Sequence, residues 1–154
     1  MAIWNIRHAQ LSDANDLVEM RALLWPETSL EEHRREVDVF LSGAVTSALP
    51  AATLVAENSD GRVIGFLDVN LRSHADGCDP AKPVGYVEGW FVRETFRGRG
   101  AGRELMRAAE TWARNHGSTE MASDALIDNE GSQRAHVALG YEVVDRCVHF
   151  RKAL

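Results

Sequence analysis

Apolar and polar residues alternate over residues 3–9, which predicts a strand with side chains on opposite faces. Ser12-Asp13 then offers an N-cap for an amphipathic helix carrying Leu17, Met20, Leu23 and Leu24 on one face. Trp25-Pro26 ends that helix, because the residue before a proline is pushed out of the α region. A second helix is predicted over 29–41, with Ser29 as cap and Glu31 and Glu32 in the first turn, where carboxylates suit the positive helix end. Residues 51–57 and 62–71 are β-type runs joined through the turn sequence Asn58-Ser59-Asp60-Gly61, so they read as a hairpin. After a polar loop over 72–83, residues 84–92 are apolar enough for a central strand. Leu105, Met106, Ala109 and Trp112 mark a helix over 101–116, with Gly117 behind it. A strand over 120–125, a short helix over 132–139 stopped by Gly140, and a last strand over 141–150 complete the reading.

Strand, two helices, three strands, helix, strand, helix, strand is the order of a mixed α/β (α+β) chain, a mixed sheet flanked by helices. With 154 residues, and neither a linker nor an internal repeat, one domain over 1–154 is expected. Hydrophobic residues make up 45% and charged residues 26%, ordinary for a globular chain.

A formal charge of -6 argues against nonspecific attraction to nucleic acid or anionic membrane and mildly favours a cationic ligand. Cys78 and Cys147 stand far apart with no zinc spacing around them, so reduced thiols and no metal are expected. The N-terminal stretch lacks an apolar leader core and no segment approaches a membrane span, which makes the cytoplasm the expected location.

The strongest chemical signal is Arg97-Gly98-Arg99-Gly100-Ala101-Gly102, placed between an apolar strand and a helix. Glycines let the backbone approach a ligand, and the unpaired N–H groups at a helix start face it. The helix dipole and the side chains of Arg97, Arg99 and Arg103 favour a pyrophosphate here; a solvent-exposed turn that is basic by chance is the alternative. No Gly-Lys-Ser/Thr closes the loop, and it lacks the dinucleotide-binding pattern, so ATP and nicotinamide readings lose ground.

Arg-x-x-Gly-x-Gly after a central strand resembles the acetyl-CoA signature of the GNAT superfamily. Asn129, Ala135 and Leu139-Gly140-Tyr141-Glu142 are similar to that superfamily's second half. The resemblance implies the GNAT fold, with a central mixed, mostly antiparallel sheet flanked by helices. It also implies that backbone groups of Trp90, Phe91 and Val92 bind the pantetheine arm and polarise the thioester carbonyl. The pyrophosphate would lie at Gly98, Arg99, Gly100, Ala101, Gly102 and Arg103, and Asn129 would contact the coenzyme arm. For Trp90 and Phe91 core packing is the alternative, since strand side chains alternate.

Further stretches resemble the aminoglycoside 6'-N-acetyltransferases: Leu24-Trp25-Pro26, Gly77-Cys78-Asp79, Val87-Glu88-Gly89-Trp90-Phe91-Val92, Glu120-Met121-Ala122-Ser123-Asp124 and Phe150-Arg151-Lys152. An amino sugar with several ammonium groups calls for carboxylates and a flat apolar face. By this resemblance Trp25 would stack on a sugar ring, and Glu88, Asp124 and Asp145 would receive ammonium or hydroxyl groups. Thr28 and His74 are further substrate-side candidates, His74 standing near a position where that family has tyrosine. Glu27, Glu31 and Glu32 are close to Trp25 in sequence. A homodimer is implied by the resemblance alone, with the 72–83 loop at or across its interface.

Acetylation of an ammonium group requires loss of a proton before attack, so a carboxylate reaching the amine directly or through water could act as base, binding of positive charge being the alternative role. Asp124 is the first candidate and Glu88 the second. His136 occupies the position where many GNAT enzymes carry a tyrosine acid; helix packing is its alternative role, since a thiol with a pKa near 8.5 leaves with little help. Direct transfer without an acetyl-enzyme is implied, and neither cysteine is needed as nucleophile. A GNAT enzyme for another small amine or a protein N-terminus, and a noncatalytic acyl-CoA-binding sensor, are the competing readings.

Overall fold

The computed structural model describes residues 3–44 and 47–154; Met1 and Ala2, the first residues of the stretch searched for a leader, lie outside it. Five strands form one sheet in chain order: β1 (Asn5–His8), β2 (Ala51–Glu57), β3 (Val63–Arg72), β4 (Val84–Val92) and β5 (Met121–Ser123). Neighbours from β1 to β4 are antiparallel and β4–β5 is parallel, so the sheet is mixed and mostly antiparallel, as expected. Four helices accompany it among the described residues: α1 (Ala14–Leu24), α2 (Leu30–Leu41), α3 (Ala101–Asn115) and α4 (Glu130–Ala138).

Alternation along the strands supplies two apolar faces. Leu54, Ala56, Leu67, Val69 and Val87 meet Leu105, Met106 and Ala109 of α3. On the other face Val55, Val63, Phe66 and Phe91 meet Leu17, Val18 and Met20 of α1 and Val37 of α2. Full burial of each Leu, Met or Phe side chain contributes about 1.5–3 kcal/mol, enough to hold short helices that would fray alone. Along the later half of β3, Asp68, Asn70 and Arg72 are only half-buried, and a cleft separates them from α1 and α2. That face of the sheet is therefore partly open.

Several expectations change. A short 3-10 turn (Leu11–Asp13) precedes α1, and Asp13 makes no side-chain cap for that helix. Its buried carboxylate instead accepts from Gln10 N and from both Arg7 Nη atoms, at 2.7, 2.7 and 3.0 Å. Leu23 is 60% exposed rather than in the apolar stripe. At 3.6 residues per turn it lies about 120° round the helix from Leu17, whereas Leu24 returns to the same side. In α2, Ser29 is the cap, its Oγ accepting from Glu32 N at 3.2 Å.

The last predicted strand does not form. Residues 141–154 carry neither helix nor strand, and Val143, Val144, Val148 and Phe150 are 59%, 62%, 72% and 93% exposed. Alternation marks an apolar face, but a strand exists only beside another strand. Here the segment crosses the 73–83 loop, so that a Cβ added to Gly77 would lie 2.8 Å from Val144 Cγ1.

Candidate functional site

Strands β4 and β5 pair only from Gly85↔Met121 to Val87↔Ser123, although β4 continues to Val92. Past Val87 the β5-side edge of β4 has no strand partner among the described residues. The two parallel strands thus open into a gap next to the start of α3.

At that start Gly98 and Gly100 have φ of +74° and +94°, a region disfavoured for residues with a Cβ. The first bond of the helical turn runs from Glu104 N to Gly100 O at 3.0 Å, which leaves Ala101, Gly102 and Arg103 N–H without intrahelical acceptors. Trp90 packs on this turn: its Nε1 donates to Gly102 O at 3.1 Å, and a Cβ on Gly102 would sit 3.2 Å from the indole. Trp4 Nε1 donates to Arg99 O at 3.0 Å and pins the loop to the beginning of the chain. Arg103 is exposed, whereas Arg97 turns back, its Nε donating to Val92 O at 2.7 Å. Phe91 points the other way and is buried beside Phe66, so packing and backbone roles are divided along the strand. Glycine geometry, orphan donors, exposed arginines and an open strand edge together fit the diphosphate and arm of acetyl-CoA.

Asn129, expected on the coenzyme arm, is the N-cap of α4, its Oδ1 accepting from Ser132 N at 3.1 Å. Its amide nitrogen is left free to donate to a ligand.

The open sheet face carries the acceptor-side candidates. The β3–β4 register shifts between Asp68 and Val69, pairing Asp68 with Gly89 and Val69 with Val87, so Glu88 is the extra residue of a bulge. The indole of Trp25 lies over Gly89, where an added Cβ would be 2.5 Å from Trp25 Cη2. Arg21 stands 5.0 Å from the centre of the Trp25 ring system, and His33 Nε2 is 3.1 Å from Trp25 O. Asp68 is paired with Arg21 and accepts from Thr53 Oγ1 at 2.6 Å. A cleft of about 380 Å³, bordered by Arg21, Glu36, Thr53, Asp68 and Asn70, continues along this face.

Glu88 accepts from Asn70 Nδ2 at 2.9 Å and from Arg72, whose Nε and Nη2 both reach Oε1, at 2.9 and 2.6 Å, and whose Nη2 reaches Oε2 at 2.8 Å. The Arg72 guanidinium lies 3.5 Å above the centre of the Tyr86 ring, and Tyr86 in turn donates its O–H to Asp124 Oδ2 at 3.0 Å. Burial, and after it the bond to Asp124, push the Tyr86 phenol up to about 12. Tyr86 therefore remains a hydrogen-bond donor at neutral pH.

His136 closes the gap from the α4 side. Its Nδ1 is 2.7 Å from Ser132 O and its Nε2 is 2.9 Å from Ser123 Oγ, while Trp90 and Tyr141 meet its ring edge-to-face. A carbonyl only accepts, so Nδ1 carries a proton toward Ser132, while Ser123 Oγ lies between His136 Nε2 and Val87 O, the latter at 3.4 Å. Tyr141 is occupied elsewhere, donating to Glu110 Oε1 at 3.2 Å; burial is the main cause that holds its phenol far above the usual range.

Trp25, Glu88 and Asp124 are thus linked on one face through Gly89, Arg72 and Tyr86. Thr28 lies in the turn after α1, its N–H donating to Trp25 O at 3.2 Å. His74 is exposed beside Asp76 at 3.9 Å. Asp145 lies exposed on the C-terminal segment and accepts from Arg146 N at 2.7 Å. Asn70, Arg72, Tyr86 and Ser123 were not singled out from the sequence. Polar residues at every second place in 68–72, within an apolar strand, were the available signal for the first two.

Comparison with known proteins agrees with this geometry. Residues 17–141 match the family model "Acetyltransferase (GNAT) family". The chain is 40% identical over 149 residues to an aminoglycoside N(6')-acetyltransferase type 1 of Klebsiella aerogenes, covering 97% of this chain and 96% of that protein. It is 34% identical to the protein of the same name from Stenotrophomonas maltophilia, covering 97% and 93%. Among solved structures it is similar to aminoglycoside N-acetyltransferase AAC(6')-Iy in complex with CoA, with a TM-score of 0.87, 33% identity and coverage of 100% and 97%. A second structure of AAC(6')-Iy, in complex with the bisubstrate analog CoA-S-monomethyl-acetylneamine, gives a TM-score of 0.86, 33% identity and coverage of 99% of each chain. Sequence, fold and the cradle at the start of α3 lead to one conclusion: the chain belongs to the acetyltransferase (GNAT) family.

Proposed function

We propose that this protein transfers the acetyl group of acetyl-CoA directly to the 6'-amino group of aminoglycoside antibiotics. The observation that carries this is the gap between β4 and β5, with a diphosphate cradle on one side and Trp25, Glu88 and Asp124 on the other. The 40% identity to an aminoglycoside N(6')-acetyltransferase over nearly the whole chain supports the choice of acceptor.

When bound, acetyl-CoA supplies an acetyl group activated as a thioester. The N–H groups of Ala101, Gly102 and Arg103, with Arg99 and Arg103 side chains, hold its diphosphate. Backbone groups of Trp90, Phe91 and Val92 orient the arm. Trp25 offers a sugar ring a flat face. Asp124 is the base: Tyr86 occupies one of its oxygens, and the other takes a proton from the acceptor's ammonium, directly or through water. Glu88 binds positive charge. His136, with Nδ1 toward Ser132 O and Nε2 toward Ser123 Oγ, holds Ser123 and packs against Trp90.

The same proposal places the enzyme in the cytoplasm as a single domain over 1–154 and a homodimer. Both cysteines are free, no helix among the described residues is long and apolar enough to cross a membrane, and the C-terminal segment exposes apolar side chains suited to a second copy.

Thiol release from acetyl-CoA is measured with kanamycin, tobramycin, spermidine and a short peptide as separate acceptors. Saturable turnover with the aminoglycosides, falling about 10²- to 10⁴-fold in Asp124→Ala, is expected for loss of a general base. Turnover only with spermidine or peptide would replace the acceptor while leaving the family intact.

A further inference from the structure

The carboxylates of the open face are not equally available. Asp68 is held by Arg21 and Thr53. Glu88 is held by Arg72 and Asn70. Asp124 accepts from neutral Tyr86 and has no ion-pair partner among the described residues. An acceptor with one ammonium group at Asp124 therefore meets a free carboxylate, whereas a second ammonium directed at Glu88 meets an arginine already seated there.

We propose, resting on the acceptor reading above, that Arg72 is a resident counter-ion in the second ammonium subsite. A polycationic acceptor displaces it, and Arg72 thereby sets the discrimination among acceptors by the number of charges they carry.

Three observations support exchange rather than a fixed scaffold. First, the guanidinium fills both requirements of a cation subsite at once, meeting both Glu88 oxygens and lying 3.5 Å over the Tyr86 ring. An incoming ammonium would use the same carboxylate and the same aromatic face. Second, the side chains of Arg72 and Glu88 are 41% and 33% exposed, so water and salt screen the pair and a competitor can replace it at small cost. Third, Asn70 donates to Glu88 while its own Oδ1 is buried without a hydrogen-bond partner, an acceptor waiting beside the subsite for an N–H or O–H donor. Arg72 sits at the last position of β3, next to the 73–83 loop, where its long side chain can swing outward with little disturbance of the sheet.

The test compares Arg72→Gln, Arg72→Lys, Glu88→Gln and the double variant, using tobramycin as polycation and 6-amino-6-deoxyglucose as monoamine. Steady-state kinetics are paired with calorimetric binding of tobramycin in the presence of CoA. Removing the competing, partly exposed cation lowers the tobramycin KM and Kd by about two- to five-fold, equivalent to about 0.4–1 kcal/mol. Arg72→Gln lowers the tobramycin KM relative to the monoamine KM, and Arg72→Lys falls between wild type and Arg72→Gln. In the Glu88→Gln background, Arg72→Gln brings no further gain. A higher or unchanged tobramycin KM in Arg72→Gln, with Glu88→Gln still raising it, overturns the counter-ion role and spares the acceptor site. If Glu88→Gln leaves the tobramycin KM unchanged, Glu88 is not in the ammonium subsite and the counter-ion role falls, while saturable turnover with tobramycin still carries the acceptor reading.

Discussion

Tyr86 shows how one buried hydroxyl organises a site. It is 7% exposed, donates to Asp124 and lies under Arg72, so it connects the proposed base with the ion pair at Glu88. Its raised pKa also has a consequence for stability. The phenol ionises near 10 in an unfolded chain but near 12 here. The group therefore stabilises the fold fully below pH 10, and that contribution is lost as pH rises toward 12. A folded-state absorbance titration at 295 nm should show no phenolate from Tyr86 before about pH 11, and Tyr86→Phe should reduce the alkaline loss of stability. The same substitution leaves Asp124 without its donor, so acceptor kcat should fall about ten-fold, well short of the effect of removing Asp124. Little of this was legible in the sequence. Asp124 drew attention because it ends an apolar strand, whereas Tyr86 looks like any aromatic in a buried strand until its hydroxyl partner is known. Arg72 was hidden differently: it was read as the first residue of a polar loop, although it is the last residue of β3.

At the scale of elements, periodicity located β2 and β4 to the residue and α2 and α3 to within one, because both faces of the pattern are satisfied by neighbours within the chain. It could not reveal the bulge at Glu88, which depends on how β3 and β4 twist together. That bulge places Gly89 beneath Trp25. Gly89→Ala should push the indole aside, since the new Cβ would lie 2.5 Å from it, and something must shift. Acceptor KM is expected to rise by about ten-fold, equivalent to losing one good stacking contact, while the acetyl-CoA KM changes little. Equal losses on both substrates would mean that β4 itself has been distorted. The strand expected at 141–150 illustrates the opposite limit. Its alternation is real, but hydrogen-bond partners are a property of the fold and not of the segment.

For the whole molecule, two features outside the site bear on stability and assembly. Arg7 binds Asp13 through two bonds and Glu57 through two more, tying β1 to the turn before α1 and to β2. The Arg7 guanidinium holds the buried Asp13 carboxyl below its usual range. A depressed folded-state pKa stabilises the protein above about pH 4 and is lost as pH falls through the folded value. Arg7→Ala should cost about 2 kcal/mol at pH 7 by denaturant titration, and the cost should shrink in acid. The proposed dimer has its own measurement. Sedimentation velocity should give twice the monomer mass, and Val148→Asp with Phe150→Asp should return the monomer, since charges on those exposed apolar residues oppose burial in any interface. A monomeric wild type would leave the C-terminal segment without the partner assigned to it.

The parting of β4 from β5 after Val87 and Ser123 also constrains the order of events in time. Helix α3 covers one face of the sheet and Trp25 packs on the other, so under the proposed function each substrate would have its own way in. Such an enzyme need not release one product before admitting the second substrate. Its double-reciprocal plots at fixed concentrations of either partner should intersect, the signature of a ternary complex. Parallel lines would mean that the acetyl group rests on the protein between two visits.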